Sequence, residues 1–459
     1  MSKLNESTAD GVTISGLPSM PAGTTATDDV LPIVDSSAKR TKKITLGELS
    51  LAVVERFGVG QASFTWDVST SSPSAAPGGV AAPVVTSIHK RIRACVLTAE
   101  GTVAYYLNPA NWAFKEDGTA SDLSGKDGHV MIEIPKFWFQ FDFDGSLMTW
   151  RVSSTDASGF TVHPAFFKDG KEVDFRYYGA YDACVYKDSA GAYVSGLNWD
   201  DNAGSSGVGI DINKDTLASV KGVYPMVGLT RAEFRALASN LGNGFRQLDF
   251  DLWSAVQILY LIENQTFFSQ KVLGDGNTNG SYVSQSGNQD DSPHTVAGAG
   301  DSIATGSTDS VTGAGGDAKP GTSFMKYRGI ENLYGNAWNW ADGINVNVGG
   351  DGKVYVTNDS QYFADDTSNG MTLVSSNLPT SGGYISQLQS AAPYFLSASN
   401  SGGSSTTYVT DEHYASASSN RVVLVGGGAA SAARAGAFCL YSGDDSSIRR
   451  RNFGARLCY

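Results

Sequence analysis

Five histidines are the first candidates for acid–base or metal chemistry: His89, His129, His163, His294 and His413. Two histidines four apart on a helix would share a face and hold a metal, and none of these has that spacing. Asp-Asp pairs at 200–201, 290–291, 365–366 and 444–445 offer the clustered oxygens that Ca²⁺ takes. Solvated loop carboxylates give the same pattern, so no metal is expected. The chain has no Gly-x-Ser-x-Gly elbow and no phosphate loop, and Gly274-Asp-Gly276 lacks a strand-turn-helix setting. Cys95, Cys184, Cys439 and Cys458 form no Cys-x-x-Cys and no zinc spacing. They read as reduced thiols packed as small apolar groups, and a Cys439–Cys458 bridge stays open. Trp338 and Trp340 alternate onto one face, where they can anchor a core or serve as sugar platforms; core packing is the expectation. These patterns predict neither an enzyme nor a cofactor. A carboxylate pair for sugar hydrolysis stays open, since its geometry depends on the fold.

The elements that position these residues are mixed. Hydrophobic residues make up 41% of the 459, charged ones only 17%, and glycines number 53. That mix fits a protein rich in β-structure and loops. Basic residues number 33 against 46 acidic, a net charge of −13 that repels phosphate backbones and argues against nucleic acid. No apolar run reaches the roughly 20 residues of a membrane span. The start, MSKLNESTADG, has no apolar stretch of the secretory kind, so synthesis in a cytosol is expected.

Val30–Val34 reads as a strand, and Thr45-Leu-Gly-Glu48 as a capping box opening a helix through Leu46, Leu49, Val53 and Phe57. This small unit, residues 1–60, must pack against copies of itself or a larger assembly. Residues 69–85 read as a linker, within a connecting β-rich region over 61–129. His129–Ile134 alternates, and Phe137, Phe139, Phe141 and Phe143 continue on one face toward a turn at Asp144-Gly145. Thr230-Arg-Ala-Glu233 caps a helix, and a second helix is predicted from Asp251 to Asn264. Residues 274–323 and 349–420 read as long loops. Strands are expected at Val422–Val425, Ala435–Leu440 and Phe453–Cys458. Strands, then two helices, then strands with long loops predict an α+β class with an antiparallel sheet.

The run Tyr327-Arg-Gly-Ile-Glu-Asn-Leu-Tyr-Gly-Asn-Ala-Trp-Asn-Trp-Ala-Asp-Gly343 resembles the GxxNxxGNxWEW signature of the C-type-lectin-like branch. That branch is shared by formylglycine-generating enzymes and by the variable proteins of phage diversity-generating retroelements. The match holds Asn332, Gly335, Asn336, Trp338 and Trp340. Gly426–Gly436, Phe438–Tyr441 and Asn452–Leu457 resemble the branch's closing pattern, with Ala429 and Gly454-Ala-Arg456 as departures. Ile134–Trp138, Val162–Phe166, Gly179–Tyr181 and Thr230–Glu233 are similar to phage tail proteins of this branch. Asp29–Val34 and Thr41–Leu46 look like the virion-attachment start of tail fibres.

The resemblance implies a C-type-lectin-like receptor-binding domain over 130–459, with two helices and long loops. It also implies a phage tail protein, homotrimeric, joined to other tail or baseplate proteins by residues 1–60. In the family the varied side chains on the last strands and their connecting loop touch the receptor. Carried over, these are Ser431, Arg434, Tyr441, Ser442, Asp444, Asp445, Ser447, Arg449, Arg450 and Arg451. Tyr and Arg supply contact area, and Ser and Asp adaptable hydrogen bonds. Arg449–Arg451 is a basic island in an acidic chain, suited to a turn, an ion pair or an acidic partner. The enzymes' closely spaced cysteine pair is lacking, so their activity is not implied. The expectation is a virion-borne adhesin for a bacterial surface protein or glycan, without metal, nucleic acid or membrane insertion. A tail-associated glycan hydrolase and a purely structural tail component are the alternatives.

Overall fold

The structure, a computed structural model, describes residues 12–13, 30–35, 40–45, 59–70, 72–73, 83–196, 209–279, 294–303, 305–308, 323–374, 378–392, 395–407 and 409–459. Two compact units divide it, Met1–Val59 and Gly60–Tyr459. In the first, Val12–Thr13, Val30–Asp35 and Arg40–Thr45 form a three-stranded antiparallel sheet. The helix expected over 46–57 lies outside the described residues, as does most of the expected linker and of the 274–323 loop.

The second unit is built around one helix that has no wet face. Helix α3 (Phe250–Asn264) buries every residue. Asp249 caps it, accepting from the Leu252 amide at 2.8 Å. Its sequence, FDLWSAVQILYLIEN, is apolar all round, as a helix enclosed by sheets must be. Helix α2 (Arg231–Ser239) is amphipathic and buries Phe234, Leu237 and Ala238. The short helices α1 (Ser87–Lys90) and α4 (Ser269–Leu273) complete the set among the described residues.

The strand Trp338–Val346 sits between two cores. Trp338 and Trp340 share one with Phe234, Leu237, Val422 and Leu424. Ala341 and Ile344 share the other with helix α3, Val423 and Val425. Alternation along each strand produces this division, since successive side chains point to opposite faces. Around it runs a curled sheet in the order Thr372–Val374, Val354–Val356, Trp338–Val346, Arg421–Val425, Leu440–Ser442, Glu412–Ala415, Gly383–Ala392, Phe395–Ser401. Two of its pairings are parallel: Trp338–Val346 with Phe453–Gly454, and Glu412–Ala415 with Leu440–Ser442. A six-stranded sheet joins Arg93–Leu97, His129–Pro135 and Phe175–Gly179 to the C-terminal Leu457–Cys458. A five-stranded one carries Gln61–Asp67, Trp138–Phe143 and Leu147–Ser153. Strands from residues 61–129 are thus paired directly with strands that follow.

The α+β, C-type-lectin-like class expected from the sequence is corrected. The protein is β-rich, with 34% strand against 14% helix and, among the described residues, four α-helices rather than two. Its largest sheet is mixed rather than antiparallel. The physical reason lies in residues 349–420, which read as loops because Ser, Thr, Gly and Asn dominate them. They supply five of the large sheet's strands: Val354–Val356, Thr372–Val374, Gly383–Ala392, Phe395–Ser401 and Glu412–Ala415. Among the described side chains, most of them put only one or two apolar groups into the core, such as Val374, Ile385, Leu388 and Ala398, too few to mark a strand in the sequence. Smaller corrections follow. Ala435–Cys439 is a buried turn rather than a strand, which starts only at Leu440. The phenylalanine row leaves the core along its length, from fully buried Phe137 to Phe143, 46% exposed.

Candidate functional site

The quoted segments converge first on a buried hub. Asn332, Gly335 and Asn336 all take the left-handed backbone conformation (φ 52°, 75° and 58°), which Gly and Asn tolerate best. Asn336 donates to Asp182 at 2.7 Å and accepts from Asn277 and the Thr295 amide at 2.9 and 2.7 Å. Asn339 donates to the other Asp182 oxygen at 3.1 Å, and Arg456 pairs with Asp182 at 2.8 Å. Arg456 also donates to the Asn332 and Gly179 carbonyls at 2.6 and 3.1 Å. Burial raises the Asp182 carboxyl above its usual range. Trp338 and Trp340 are buried, and the Trp340 indole donates to the Leu229 carbonyl at 3.1 Å. A buried polar hub bonded this densely, with Asn339 Oδ1 and Arg456 Nε left over, fixes one arrangement of the chain.

A second constellation reaches the surface. Leu440–Ser442 lies between Arg421–Val425 and Glu412–Ala415, in the register Tyr414↔Tyr441 and Leu424↔Tyr441. Glu412 in turn faces Tyr384. Trp340, Leu424, Tyr441, Tyr414, Glu412 and Tyr384 therefore line one face, running from core to solvent. Tyr414 and Tyr441 are partly exposed, with ring centroids 5.4 Å apart. Each also packs edge-on against Trp338, at 5.6 and 5.5 Å. Burial, with the Asp444 carboxylate nearby, pushes the Tyr441 hydroxyl up to about 12.

Ion pairs surround these rings. Arg434 meets Glu412 at 3.0 Å, and burial pushes up the Tyr414 hydroxyl beside them. Arg450 meets Asp444 at 3.1 Å and lies 5.4 Å over the Phe453 ring. Arg449 clasps Glu233 with two bonds, of 2.6 and 3.0 Å. Asp445 accepts from the Ser447 amide and hydroxyl. Of the ten carried-over residues, Arg434, Tyr441, Asp444, Asp445, Ser447, Arg449 and Arg450 reach the surface at least in part. Ser431 and Ser442 are buried; the Ser431 hydroxyl accepts from the Gly428 amide, and Ser442 donates to the Tyr414 carbonyl. Arg451 is half-buried, and its charge, after burial, lowers the His294 imidazole to about 4.

Tyr384, Glu412, Tyr414 and Glu233 were not among the sequence candidates. The first three lie in residues read as loop, and their neighbourhood depends on a parallel pairing that no local pattern announces. Glu233 was visible only as a capping residue. Elsewhere, all five histidines are buried, and burial depresses each of them. Asp365 is bound by Arg231 and Arg235 at 2.5 and 2.8 Å, and the pairs at 200–201 and 290–291 lie outside the described residues. The four cysteines are buried free thiols. Among the described residues no group of three or more His, Cys, Asp or Glu is arranged to hold a metal. No protein-family model matches the chain and no curated protein matches it, so residues and geometry alone carry the functional reading.

Proposed function

We propose that the chain is a receptor-binding protein of a bacteriophage tail, gripping a bacterial surface protein or glycan through the face centred on Tyr414 and Tyr441. The observation that carries this is the pair of partly exposed tyrosine rings, 5.4 Å apart and ringed by guanidinium–carboxylate pairs. Rigid aromatics that lose little entropy, beside planar charged hydrogen-bonders, are the composition of recognition surfaces. The resemblance of 327–343 and 426–457 to variable phage proteins supports the same reading. Residues 28–57 resemble attachment segments, and three copies on one tail would add weak contacts into firm adsorption.

Hydrolysis needs an accessible carboxyl held protonated near neutrality. Asp182, Asp251, Glu331 and Asp411, whose carboxyls burial raises, are enclosed, and Glu412 is engaged by Arg434. Among the described residues these carboxyls therefore do not favour a hydrolase. Deleting residues 1–60 tests the division of labour: the truncated protein should leave virions yet bind host cells as the full chain does. Loss of cell binding in the truncated protein contradicts the proposal.

A further inference from the structure

We propose that a cleft separate from the tyrosine face is a second ligand site, and that it takes a neutral oligosaccharide. The cleft encloses about 700 Å³, within the ~300–1,000 Å³ of small-molecule sites. Its walls come from other segments: the turn after Arg93–Leu97, the loop before His129–Pro135, and the Cys184–Lys187/Ala192–Val194 hairpin. None of the residues of the tyrosine face lines it.

The cleft is built rather than left over. Gly125 takes φ +94°, and a Cβ there would stand 2.0 Å from the Tyr193 hydroxyl. Only glycine lets this loop close down on the hairpin, where Tyr193 donates to the Gly125 carbonyl at 3.4 Å. Tyr193 and Tyr186 form one wall, with ring centroids 5.2 Å apart and planes at 63°. Asp127, accepting from the Tyr105 hydroxyl at 3.0 Å, and exposed Glu100 supply carboxylates, with Lys126 beside them.

This lining selects its ligand. Two carboxylates against one ammonium repel phosphates, sulfates and acidic sugars. Too few apolar groups converge for a lipid. Tyrosine rings offer flat surfaces to the C–H faces of a pyranose, while carboxylates accept from pairs of vicinal hydroxyls. Exposed Glu100, its carboxyl held below the usual range by the nearby Thr98 hydroxyl, offers the sugar an acceptor.

The full-length chain can be titrated with maltohexaose, cellohexaose and chitohexaose, with saturation-transfer NMR as the readout. Binding of at least one sugar is expected. Glu100→Gln and Tyr186→Ala should each weaken it by about ten-fold, the loss of one charged hydrogen bond or one stacking wall, and Tyr441→Ala should leave it unchanged. Because Glu100 is exposed, its variant carries the test even where Tyr186→Ala fails to fold. No transfer from any of these sugars, affinity indifferent to Glu100→Gln, or binding lost in Tyr441→Ala would each overturn the assignment.

Discussion

At the scale of single residues, the molecule separates groups that hold the fold from groups that meet solvent. Trp338 and Trp340 belong to the first kind. Asp251 does too, with a measurable consequence. It lies in the first turn of helix α3 with no water access, and burial, aided by the Asp249 charge, raises its carboxyl to about 7. A carboxyl whose folded value exceeds its unfolded one favours the folded state only while protonated. Its contribution is complete below about pH 4 and is lost as pH rises through about 7. Asp251→Asn should therefore be more stable than the parent at pH 8, by on the order of a few kcal/mol, with the gap closing below pH 4. Denaturant titrations at both pH values check this; equal stabilities at pH 8 refute it. Tyr441 and the arginines were readable as candidates from residue type and resemblance. Their partners Glu412, Glu233 and Tyr414 were not, because each pairing joins residues far apart in sequence.

Elements were legible where periodicity was strong and obscure where few apolar side chains marked a strand. The Thr230–Glu233 capping box was plain in the sequence and forms as a reciprocal pair, Glu233 amide to Thr230 hydroxyl at 3.2 Å and Thr230 amide to Glu233 carboxylate at 2.8 Å. Helix α3 was placed to within a residue of its start. The strands at 383–392 and 395–401, rich in Ser, Gln and Ala, were missed, since their side chains alternate too weakly to register. The capping box also reaches the candidate face, because Glu233 holds Arg449. Thr230→Ala should cost about 1 kcal/mol, read as a lower urea midpoint, while leaving the Arg449–Glu233 pair and adsorption intact. A loss of adsorption without a loss of stability would show that the cap does more than hold the helix.

For the whole molecule, the proposed function assigns attachment to one unit and recognition to the other. The chain divides at Val59, and strands from 61–129 join the larger unit's sheets by pairing with His129–Pro135 and Leu147–Ser153, contacts that no local pattern in the sequence announces. Within the larger unit, the proposed recognition face exists only once the sheet is assembled. Adsorption to host cells is the most direct measurement. Purified full-length protein should bind cells, and Tyr414→Ala and Tyr441→Ala together should weaken that binding by at least about ten-fold, as the loss of two hot-spot aromatics implies, with circular dichroism unchanged. Unaltered binding by this folded double variant would contradict the claim that the Tyr414–Tyr441 face is the grip.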